Sequence, residues 1–75
     1  MDWHDHIHTD PEILSGKPVV NGTRISVDFI LSLLAEGWSE AQIFEGYPHL
    51  TRDDLQAIFA YAAESVQDER LVQVH

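Results

Sequence analysis

The 75-residue chain contains no cysteine, which excludes disulfide staples and cysteine-based zinc sites. It has only four Lys/Arg against thirteen Asp/Glu, a formal charge of −9. Polyphosphate repels such a chain at long range, and nucleic-acid affinity rests mainly on phosphate neutralisation. A basic protein partner is the simpler electrostatic match. No run approaches the roughly 18 apolar residues of a membrane span. The N-terminus lacks a signal peptide's basic and apolar regions, so the cytoplasm is the expected compartment. There is no internal repeat and no low-complexity tract.

What is present suits one small folded domain, with 44% apolar residues. A chain this short buries only about 60% of the surface its unfolded form exposes. Without staples, such domains often gain stability by oligomerising or docking, and a partner is expected. The core is expected over about 7–66, with 67–75 as a tail whose Leu71 and Val72 are candidate partner contacts.

The organisation follows from local chemistry. His4, His6 and His8 alternate, so a strand there would carry the three rings on one face, about 6.8 Å apart at each step. With Asp2 or Asp10 they offer donors of the right type for zinc; a functional metal site is not assigned, nor is any cofactor. Asp10-Pro11-Glu12 has the form of an N-cap, first helical proline and acidic first turn, stopped by Gly16. Val19 and Val20 favour strand, Asn21-Gly22 is a two-residue hairpin signal, and Thr23 to Val27 supply a return strand. Pro18 confines that strand to an edge or marks its start.

Three helices follow. The first runs from about Val27 to Glu36, capped by Ser26 and closed by Gly37. The second opens on the capping box Ser39-Glu40-Ala41-Gln42 and ends at Gly46. The third begins after the N-cap Thr51, with Asp53 and Asp54 where the helix dipole favours acids. Leu55, Ile58, Phe59, Ala62 and Val66 give it a core stripe at helical spacing. Ala57, Ala60, Tyr61 and Ala63 form a second, small-residue face able to admit another helix, and Ala57, Ala60 and Tyr61 are hence a candidate partner or dimer interface. The fold class is mainly α: a three-helix, helix-turn-helix-like bundle with a short N-terminal β-hairpin. Trp38 is expected over the corner between the first two helices.

The run Gly16-Lys17-Pro18-Val19-Val20-Asn21-Gly22-Thr23-Arg24-Ile25 is followed by Val27, Leu34-Ala35-Glu36-Gly37 and Ser39. Tyr47-Pro48, Leu50-Thr51, Asp54-Leu55 and Tyr61-Ala62 complete the pattern. Over about Ile7 to Ala63 the chain resembles the bacterial family catalogued as domain of unknown function 433. The resemblance implies a homeodomain-like, helix-turn-helix fold. It also implies an antitoxin that neutralises a PIN-like nuclease toxin, and autoregulation of its operon as a homodimer.

As a DNA reader, the third helix would present Arg52 and Gln56 to guanine and adenine edges, with Lys17 and Arg24 as phosphate contacts flanking the turn. Asp53 and Asp54 would oppose phosphates, and Lys17 and Arg24 have many carboxylates to pair with instead. An autonomous DNA-binding regulator is therefore the second reading. Catalysis is not expected, since the serines sit mostly at caps and turns and a chain this short rarely builds a pocket of convergent polar groups.

Overall fold

The computed structural model describes residues 2–68. After a 3-10 turn over Trp3–Asp5 come strand β1 (Ile7–His8) and strand β2 (Val19–Val20). Helices α1 (Val27–Ala35), α2 (Glu40–Gly46) and α3 (Arg52–Asp68) complete the order. The architecture is mainly helical, with a two-stranded antiparallel sheet at the N-terminal end.

The sheet pairs Ile7 with Val20 and His8 with Val19. The expected return strand after Asn21-Gly22 contributes one bridge, Ser26 opposite Val19. A tight turn produces this short return. The Thr23 N–H donates to the Val20 carbonyl at 3.1 Å, the Thr23 hydroxyl donates to the same oxygen at 2.8 Å, and the Ile25 N–H donates to Thr23 Oγ1 at 3.0 Å. Gly22 sits at φ +77°, open to glycine and costly for most residues. The Ser26 side chain then accepts from the Phe29 N–H and starts α1, so the chain has turned helical before a longer strand can form. Pro18 stands just before β2, where its missing donor costs nothing, and its carbonyl accepts from the Val27 N–H at 3.0 Å.

The helix boundaries follow their caps. Gly37, at φ +102°, ends α1 in the left-handed conformation. Seven residues are too few to hold α2 alone. It is fixed by the reciprocal Ser39–Gln42 capping box and by Ile43, which is fully buried. Thr51 and Asp54 form the equivalent pair for α3: Thr51 Oγ1 accepts from the Asp54 N–H and Asp54 Oδ2 accepts from the Thr51 N–H, each at 3.0 Å.

The core joins Ile7 and Val20 of the sheet to Val27 and Ile30 of α1, Ile43 of α2, Leu50, and Leu55, Ala57 and Ile58 of α3. Full burial of each large aliphatic contributes about 1.5–3 kcal/mol. Trp38 lies at the corner between α1 and α2, its ring against Gly46, where an added Cβ would meet it at 3.7 Å.

Two local expectations are corrected. Asp10-Pro11-Glu12 does not start a helix. The Asp10 side chain accepts from the Glu12 N–H and its carbonyl from the Ile13 N–H, closing a turn. Leu14, Ser15 and Gly16 then all take positive φ (51°, 58° and 84°), which reverses the chain into β2. The core arc of α3 is also rotated: Phe59 and Val66 are exposed and Ala57 is fully buried. This helix is apolar around most of its circumference, so spacing alone did not decide which arc faces inward. The N-terminal segment decides it by packing on the Ala57–Tyr61 side, with Trp3 edge-on to Tyr61 at 4.8 Å between ring centroids.

Candidate interaction surface

The basic side chains named from sequence do not gather as free cations. Lys17 Nζ lies 3.5 Å from Asp28 Oδ2 on the first turn of α1. Arg52 lies 3.7 Å from Glu40 at the start of α2, with its guanidinium 5.4 Å from the centre of the Phe44 ring. Both pairs are solvent-exposed and individually worth little, yet each sets a carboxylate beside the cation where a phosphate would bind. Arg24 is exposed and pairs with no carboxylate among the described residues. Gln56, one turn after Arg52 on α3, is exposed.

The small-residue face of α3 is largely occupied from within. Ala57 has no exposed surface and so offers nothing to a partner. Tyr61 is half-buried against Trp3, and Ala60 is half-buried. Leu71 and Val72 lie outside the described residues.

The three histidines diverge. Trp3–Asp5 form a 3-10 turn instead of strand, which breaks the alternation that would align the rings. His4 stacks on Trp3 at 3.7 Å and its Nδ1 lies 2.7 Å from Asp2 Oδ1. His6 Nδ1 lies 3.0 Å from Asp54 Oδ1, and His8 Nδ1 meets Asn21 Oδ1. Among the described residues no group of three or more His, Asp or Glu side chains is arranged to hold a metal ion. No pocket opens among them either.

These contacts do build a clasp. Trp3 Nε1 donates to Glu64 Oε2 at 2.8 Å, His6 meets Asp54, and Ile7 enters the core between them, so the N-terminal segment runs along α3. The Asn21 N–H donates to the His6 carbonyl at 2.8 Å, and Asn21 Nδ2 to the Asp5 carbonyl at 2.9 Å. Asn21 is thus both a turn residue and the anchor of the clasp. Burial pushes the Asp54 carboxyl up, but hydrogen bonds from the Thr51 backbone, His6 and the Thr51 hydroxyl outweigh it and hold the group below its ordinary value. The exposed Asp2 carboxyl is also lowered, first by its hydrogen bond to the His4 side chain. Asp54 therefore works inward, as a cap and a His6 partner, and only Asp53 of the expected acidic pair faces solvent.

What sequence reasoning missed is the outward surface that this arrangement leaves. Phe59 and Val66 stand 37% and 47% exposed on α3, with Ala63 exposed between them. The signal was the broad apolar circumference of α3, more than one core can cover.

Fold and surface together define a small three-helix domain closed by a two-stranded sheet. The chain belongs to the family described as protein of unknown function DUF433, whose profile matches residues 7–62. It is 34% identical over 56 residues to the uncharacterized protein y4eO of Sinorhizobium fredii, covering 75% of this chain and 25% of that protein. The chain thus spans about a quarter of that relative's length. The crystal structure of a DUF433 member protein from Anabaena variabilis superimposes with a TM-score of 0.77 at 26% identity. That match covers 83% of this chain and 61% of the other.

Proposed function

We propose that the chain is an antitoxin-like binding protein that neutralises a PIN-like nuclease. The observation that carries this reading is the charge balance: thirteen carboxylates against four Lys/Arg, with Lys17 and Arg52 already matched to Asp28 and Glu40. A nuclease that binds a polyanion presents a basic surface, and an acidic protein of this size complements that surface while competing with the nucleic acid for it. The family resemblance supplies the class of toxin. The test is co-expression of the full chain with the product of the adjacent open reading frame. A complex that survives purification and weakens as salt rises supports the reading. Absence of binding at about micromolar concentration removes it.

A second reading, an autonomous DNA-binding regulator, draws on three exposed side chains: Arg52 and Gln56 on the first turns of α3, and Arg24 without a described carboxylate partner. It predicts a mobility shift at low salt that Arg52→Ala or Gln56→Ala abolishes. No shift at low salt, where electrostatic binding is strongest, eliminates it.

A further inference from the structure

Between Ile25 and Thr51 the chain has four carboxylates, Asp28, Glu36, Glu40 and Glu45, and no Lys or Arg. Lys17 and Arg52 reach in from outside this stretch to match Asp28 and Glu40. Glu36 and Glu45 are exposed and pair with no Lys or Arg among the described residues. The same stretch exposes aromatic rings. Phe29 is 41% exposed on α1 with the Tyr47 ring edge-on to it at 5.6 Å, and Trp38 is 38% exposed against Gly46. Gly46 and Tyr47 are neighbours, so the two contacts set the three rings along one side of the α1–α2 pair. Glu36 stands two turns beyond Phe29 on that side of α1, and Glu45 directly precedes Gly46.

Charge and ring chemistry together choose the occupant. Rings flanked by unmatched carboxylates repel phosphate, and they repel a second copy of a chain at −9 as well. They suit a guanidinium, which stacks on a ring face while pairing with an acid. The chain already seats one guanidinium in this manner: Arg52 lies 5.4 Å from the centre of the Phe44 ring and 3.7 Å from Glu40. We therefore propose that the α1–α2 face receives an arginine-bearing segment of the protein partner. Its guanidinium groups stack on Phe29 and Trp38 and pair with Glu36 and Glu45. The proposal rests on the nuclease reading and names the surface through which that reading works.

The test is binding of the full chain to the product of the adjacent open reading frame, followed by calorimetry and by backbone amide shifts. The shifts should concentrate over residues 28–47. Phe29→Ala or Trp38→Ala should weaken binding by about 30-fold. Glu36→Lys combined with Glu45→Lys changes two exposed side chains and should weaken it by about tenfold or more. This pair decides the matter should the aromatic variants fail to fold. Asp5→Lys combined with Glu12→Lys makes the same change in net charge in the N-terminal segment and should weaken binding by about threefold or less. Equal losses from the two charge pairs overturn the proposal and leave the nuclease reading standing. So does a complex whose shifts fall on α3 or on the 21–24 turn instead. Shifts over residues 28–47 on concentrating the chain alone would assign the face to a second copy and likewise overturn it. No complex at about micromolar concentration removes the nuclease reading and this proposal together.

Discussion

Asp54→Ala is the most informative single perturbation, because this carboxylate joins three parts of the molecule. It accepts from the Thr51 N–H at 3.0 Å, meets His6 Nδ1 at 3.0 Å, and lies in the first turn of α3 with its side chain 14% exposed. Removing it takes the carboxylate from the part-buried His6 ring and leaves the exposed Thr51 N–H to water. Loss of a cap costs about 1 kcal/mol, and loss of the helix-dipole contact about 0.3–1. The His6 bond brings the total to about 2 kcal/mol. For a domain of this size that lowers Tm by about 8–16 °C. Asp54→Asn retains an oxygen for Thr51 and should lose about half as much.

The pH dependence has a definite sign. The folded Asp54 carboxyl lies below its ordinary value of 3.8. Its contribution is therefore complete above the unfolded value and disappears as pH falls through the depressed folded one. The gap between wild type and Asp54→Asn in thermal unfolding should be widest above about pH 4–5 and close under stronger acid. A cycle with His6→Ala should give a coupling of about 0.5–1 kcal/mol. An Asp54→Ala chain within about 0.5 kcal/mol of wild type at neutral pH refutes the reasoning, as does a gap independent of pH.

Three further outcomes follow from other contacts. Ile58→Ala, at a fully buried position in the middle of α3, should cost about 2–5 kcal/mol, which circular dichroism at 25 °C will register as partial or complete unfolding. Gly22→Val should destabilise by more than about 1 kcal/mol in denaturant titrations, although an added Cβ meets nothing within 4 Å, because the cost lies in φ +77° itself. Trp3→Phe keeps the edge contact with Tyr61 and loses the Glu64 hydrogen bond. It should cost about 0.5–1.5 kcal/mol and speed hydrogen exchange in residues 3–8, with the α1 core amides retaining their order of protection.

The parts of the fold legible in the sequence were those governed by near neighbours. Ser26, Ser39 and Thr51 each cap the helix expected of them, because a cap is settled within four residues. Gly37 and the Asn21-Gly22 turn likewise depend on local φ. What escaped depended on contacts across the chain. Val19–Val20 took Ile7–His8 as its strand partner, since β1 could claim the free side of β2 while the Thr23 side turned into α1. The same segment covered Ala57 and Tyr61 and so pushed Phe59 and Val66 outward. For the candidate site, residue type was legible and pairing was not. Lys17 and Arg52 were visible as rare cations, but Asp28 and Glu40 became their partners only when α1 and α2 took their places.

We propose that this acidic domain acts by binding a nuclease. The most direct test of that proposal is to titrate the purified chain into the product of the adjacent open reading frame while following cleavage of a labelled RNA. Inhibition should saturate at a fixed stoichiometry and weaken with added salt, as charge complementarity requires. Undiminished cleavage at about tenfold molar excess and micromolar concentration, at low salt, would contradict it.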